Sequence, residues 1–175
     1  MNCIALVWLS GALALPSASQ YEGRKDNPAV DAIKAIASMP TLVLTAATKD
    51  LPILKCLTTD RTAFNASAGT ATYTWHIRGR NGQPGRDLPI DYVITDSPDK
   101  GVSYINSDTS NPIPAEAVYS DYKKCLIDIM FFGSGEWCFQ WVTPGTENDI
   151  PEECSTAMKE QCPGAIDLYS DELCK

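Results

Sequence analysis

Six cysteines constrain this chain more than any other feature. Of the seven in the sequence, Cys3 falls in an apolar leader. Cys56, Cys125, Cys138, Cys154, Cys162 and Cys174 follow it, five of them in the last third. An even set behind a leader reads as three disulfides formed in an oxidising compartment. The spacings are wide and contain no CxxC pair, which argues against zinc. The leader itself, Ile4 to Leu15, is uncharged and is followed by Pro16, Ser17, Ala18 and Ser19, small residues that suit a signal-peptidase site. It is shorter than the roughly 18 apolar residues of a membrane span. Residues 1–19 are therefore expected to be a signal peptide, and 20–175 one secreted domain.

Charge and histidine content narrow the function. A net charge of −8 leaves no concentrated Lys and Arg for nucleic acid or an anionic membrane surface. The one histidine, His76, leaves little room for a catalytic relay and none for a multi-histidine metal site. The sequence predicts no enzyme, no cofactor and no metal. Asn65-Ala66-Ser67 is an N-glycosylation sequon in a stretch of small residues that reads as an exposed loop.

The hydrophobic pattern predicts a mainly β chain. Ala29, Ile33, Ile36 and Ala37 recur at helical spacing, with Asn27 as N-cap and Pro28 at the first helical position. Strands are expected at 41–45, 53–59 (holding Cys56), 70–78, 91–95, 102–105, 117–119, 126–132 and 137–142. The stretch 79–87 reads as a loop, Gly133-Ser134-Gly135 as a hairpin turn, and 151–161 as a short helix. About eight short antiparallel strands at near-regular spacing suit a closed barrel, with a helix at each end of the chain and an interior able to hold one small ligand.

The last third carries a family resemblance. Tyr119-Ser-Asp-Tyr-Lys-Lys-Cys125, then Trp137-Cys-Phe-Gln-Trp-Val142, then Cys154 in a helix and Cys174 near the end, resembles the tick salivary lipocalins, the tick histamine-binding protein family. Asp31-Ala-Ile-Lys34 is similar to their Asp-Ala-Trp-Lys helix motif. The resemblance implies an eight-stranded lipocalin-type barrel whose C-terminal helix is tethered by disulfides. It implies the pairings Cys56–Cys174, Cys125–Cys154 and Cys138–Cys162. It also implies a secreted protein that sequesters a small host mediator. Residue by residue, Asp50 matches an acidic pocket position and Trp141 an aromatic one. Phe139 stands where histamine binders carry a glutamate.

Those implied bridges orient two strands. A cysteine joined to a helix outside the barrel points outward, and strand residues alternate faces. Leu126, Asp128, Met130 and Phe132 then face the interior, as do Phe139 and Trp141. Asp128 would be a carboxylate in an apolar, aromatic interior, a place that calls for a cationic partner. The bland reading has Asp128 hydrated at a barrel mouth or bonded internally, with Phe139 and Trp141 as plain core. Along 70–78, Tyr73, Trp75 and Ile77 form one face and Thr74, His76 and Arg78 the other; which faces inward is open. The expected partner is a biogenic amine held by Asp50, Asp128, Phe139 and Trp141. The alternatives are an eicosanoid or fatty acid met by His76 or Arg78, or a host protein met by loops such as 79–87. Monomer is the default state.

Overall fold

Alternation along β3 (Thr70–Ile77) sets the architecture. Ala71, Tyr73, Trp75 and Ile77 are buried, while Thr70, Thr72, Thr74 and His76 between them are half-exposed. The sheet therefore has an inner and an outer face from this strand onward. A computed structural model describes residues 28–79, 84–133 and 135–174; the signal-peptide segment lies outside the described residues.

Eight antiparallel strands close on themselves. They are β1 (Thr41–Ala47), β2 (Thr58–Asn65), β3, β4 (Arg86–Ile94), β5 (Lys100–Ile105), β6 (Ile113–Ser120), β7 (Cys125–Phe132) and β8 (Gly135–Val142). Each pairs with the next, and β1 joins both β8 and β2 to complete the barrel. A two-residue β9 (Ile166–Asp167) adds outside β1. Helix α1 (Ala32–Ser38) precedes β1, α2 (Glu152–Gln161) packs outside the barrel, and α3 (Asp171–Cys174) ends the described chain. Among the described residues no helix is long and apolar enough to cross a membrane.

Several boundaries differ from the sequence reading, for identifiable reasons. Helix α1 begins at Ala32, because Asp31 is the working N-cap and accepts from the Lys34 N–H at 2.9 Å. The strand expected at 53–59 is replaced by a 3₁₀ turn, Pro52–Leu54, and β2 starts only at Thr58. Cys56 has φ 59°, which no strand residue adopts. Strand β4 extends back to Arg86, shortening the expected loop, because β3 pairs with it along its full length, from Thr70↔Val93 to Ile77↔Arg86.

Two apolar clusters lie on either side of the barrel wall. The inner one holds Leu44, Leu54, Leu57, Met130, Phe139 and Leu168, which fill the end where β1 finishes. The outer one joins Ile127 and Ile129 of β7 to Ala157 and Met158 of α2. Cys125–Cys154 and Cys138–Cys162 run through the outer cluster, and Cys56–Cys174 ties the β1–β2 connection to the chain's end.

Candidate functional site

The interior is hollow at the end where α1 lies. There a cavity offers about 70 Å³ to the centre of a water-sized sphere. One water needs roughly 10–15 Å³ on that measure, so the space suits a small molecule. Its shape follows from side-chain size. β3 and β8 present Tyr73, Trp75 and Trp141, whereas β5 and β6 present Gly101, Ala115 and Ala117. Ala32, Ala35 and Ile36 of α1 cap the space. Helix α1 is held at both ends. The Ala32 N–H donates to the Pro98 carbonyl at 2.9 Å, and the Tyr73 hydroxyl donates to the Met39 carbonyl at 2.8 Å.

Asp128 lies in this cavity, cross-strand from Ala117 on one side and Phe139 on the other. The register of β6 shifts between Ala117 and Tyr119, so that both Ala117 and Tyr119 pair with β7 on opposite faces of the sheet. Barrel wall encloses the Asp128 side chain, and what surface it retains opens to the cavity. Its Oδ1 accepts the Trp141 indole N–H at 2.8 Å. Burial pushes the carboxyl up from the ordinary 3.8 to about 7, a rise the Trp141 bond only partly offsets. Among the described residues no Lys, Arg or His forms an ion pair with it. Tyr92, also lining the cavity, has its hydroxyl pKa raised well above the usual value, first by burial and then by the Asp128 charge.

The aromatic side chains around the cavity pack in two sets. The Trp75 ring lies 5.5 Å from Trp141 and 5.9 Å from Phe139, and Tyr73 meets Tyr92 edge-on at 6.0 Å. Trp141 lines the cavity beside Asp128. Phe139 is fully buried beneath it and supports Trp75 and Trp141 without lining the space.

One sequence expectation needs correction, and one question left open by the sequence is answered. Asp50 is not at the cavity. It follows the far end of β1, its side chain 61% exposed, and pairs with Lys55 at 3.1 Å. The Pro52–Leu54 turn sends Leu54 into the inner cluster and leaves Asp50 on the surface. His76 and Arg78 are on the outer face. The His76 ring nitrogens meet Asp87 at 2.8 Å and Asp60 at 3.1 Å, and Arg78 donates to the Leu173 carbonyl at 3.0 Å. The hydrophobic-acid reading therefore loses the basic end assigned to it. Asn65 is exposed at the end of β2, its Oδ1 accepting from the Ser67 hydroxyl at 2.8 Å. Sequence reasoning missed Tyr92, the small-residue wall and the capping role of α1. Ile90, Tyr92 and Ile94 alternate visibly, but nothing in the sequence fixes which face of β4 is inner.

With this geometry in place, comparison with known proteins is informative. The family model described as tick histamine binding protein matches residues 23–175. No curated protein matches the chain. Among solved structures, the serotonin complex of AM182 superposes with a TM-score of 0.62 at 18% identity, covering 84% of this chain and 94% of that one. Cholesterol-bound japanin from Rhipicephalus appendiculatus gives 0.61 at 15% identity, covering 83% and 99%. Lobster apocrustacyanin A1 gives 0.55 at 11%, covering 77% and 78%. At these identities the structures testify to a shared lipocalin-type fold.

Proposed function

The chain belongs to the tick histamine-binding protein family, and from that premise we propose that it is a secreted carrier that captures a small cationic amine of the histamine or serotonin class. The observation that carries the reading is Asp128, a carboxylate set among aromatic side chains whose hydrogen-bond partners, the Trp141 indole N–H and its own backbone N–H, are both neutral. A buried charge of this kind is costly without a counter-ion, and an ammonium group supplies one. Trp75, Trp141 and Tyr73 offer flat faces for an aromatic ring or the cation itself. Serotonin, which AM182 binds, combines both features. Function is then stoichiometric removal of a host mediator at the feeding site. Export through the 1–19 leader, three disulfides and a glycan on Asn65 belong to the same proposal.

Calorimetry with histamine, serotonin and a fatty acid tests this. One amine per chain should bind, and Asp128→Asn should weaken it by about 2 kcal/mol or more, roughly thirtyfold. Unchanged amine affinity in the variant, or binding of the fatty acid alone, would refute the assignment.

A further inference from the structure

We infer that capture of a cationic amine by this cavity expels the proton that Asp128 holds in the ligand-free protein. The inference rests on the amine-binding reading and adds a property that reading does not require. In the free protein the Asp128 carboxyl meets only neutral donors, the Trp141 indole and its own backbone N–H, and lies half-buried against the aromatic wall of the cavity. A carboxyl group so placed is held more easily as the neutral acid. An ammonium arriving beside it reverses the preference, because the ion pair needs the carboxylate. The O–H bond of Asp128 breaks, its electron pair stays on the oxygen, and the proton passes to solvent or buffer. The amine keeps its own proton, so charge and atoms balance.

The surroundings support this exchange. β3 and β4 bring the hydroxyls of Tyr73 and Tyr92, both with pKa values raised by burial, so neither supplies a competing charge near neutrality. β8 brings Trp141, while β1, β2 and α1 bring Leu42, Thr59 and the apolar side chains of the cap. Asp99, in the β4–β5 turn, and Glu116 of β6 also line the cavity, but neither is among the groups that shift Asp128. His76 is turned to the outer face, paired with Asp60 and Asp87. The rise of the Asp128 carboxyl to about 7 sets the range in which the exchange is visible.

Serotonin is a suitable probe because its ammonium does not titrate near neutrality. Titration calorimetry in buffers of different ionisation enthalpy should give close to one proton released per ligand at pH 6 and about a tenth of one at pH 8. Affinity should rise about tenfold between them. Carboxyl-carbon NMR provides a readout independent of any variant: Asp128 should titrate near neutrality when free and stay ionised at pH 6 when bound. Serotonin binding at pH 6 without proton release, or Asp128 already ionised at that pH in the free protein, overturns the coupling and leaves the amine site standing. No serotonin binding at either pH overturns the amine reading for this ligand and the coupling with it. Proton release that persists in a serotonin-binding Asp128→Asn variant also overturns the assignment to Asp128.

Discussion

The carboxylate that suits an amine should weaken the empty barrel, and Asp128→Asn measures by how much. Raising the carboxyl from 3.8 to about 7 corresponds to a cost on the order of 4 kcal/mol for holding it ionised in the folded state. The sign follows from proton counting. Between about pH 4 and 7 the folded chain keeps a proton that the unfolded chain has lost, so unfolding releases it and stability falls as pH rises through that window. Asparagine has no such proton and can still accept from the Trp141 N–H through its amide oxygen. The two proteins should therefore match closely near pH 4 and diverge by up to about 4 kcal/mol at pH 8, the variant being more stable. For a domain of this size each kcal/mol moves Tm by about 2–4 °C, so the gap at pH 8 should approach 10 °C. Thermal unfolding of both ligand-free proteins across this range provides the test. Taking the difference between them cancels groups common to both, His76 included. Parallel pH profiles would refute the buried, unpaired carboxylate and with it the reason for expecting a cation.

Two further perturbations test the shape of the barrel and its closure. Gly101→Ala should destabilise the fold by about 1–3 kcal/mol in denaturant unfolding, because an added Cβ would come within 2.6 Å of the Val93 carbonyl oxygen. Replacing Cys56 and Cys174 together by serine opens a link between residues 118 apart in sequence. This should cost about 4–5 kcal/mol on the chain-entropy account, while far-UV circular dichroism in the absence of denaturant retains the barrel signature.

How legible this arrangement was in the sequence depended on what could anchor the phase of each strand. Strand β3 alternates so cleanly that its two faces were separable by eye, but alternation alone does not say which is inner. β7 and β8 were different, because the family-implied tethers to an external helix give Cys125 and Cys138 a direction and hence a parity for their neighbours. Strands β4, β5 and β6 carry no cysteine, so Tyr92, Gly101 and Ala117 had no such reference. Their orientation is set by the register of pairing with the neighbouring strands, which the turns between them do not reveal in the sequence. Asp50 was misplaced for a local reason. The chain after it runs through a 3₁₀ turn begun by Pro52 and a left-handed Cys56, and Asp50 is left on the surface beside Lys55. The polar start of β4, Arg86-Asp-Leu-Pro, has little strand propensity of its own and is extended by β3 beside it.

Parity also explains how an acidic protein can keep an aromatic interior. Trp75 and His76 are adjacent in sequence, yet one borders the cavity and the other bridges Asp60 and Asp87 outside. A slip of one residue along β3 would exchange them and place an imidazole where the aromatic face now lies. Such a barrel would present a titratable cation and would suit an anionic ligand. The imidazole's two carboxylate partners hold its pKa above the ordinary value, the Asp87 hydrogen bond contributing most, and so favour the outward placement at acidic to neutral pH. The outer-face pairs of β2, β3 and β4 thus contribute to the register that puts Trp75 beside Trp141. Which of these two neighbouring residues borders the cavity is a matter of register, and the net charge of −8 says nothing about it.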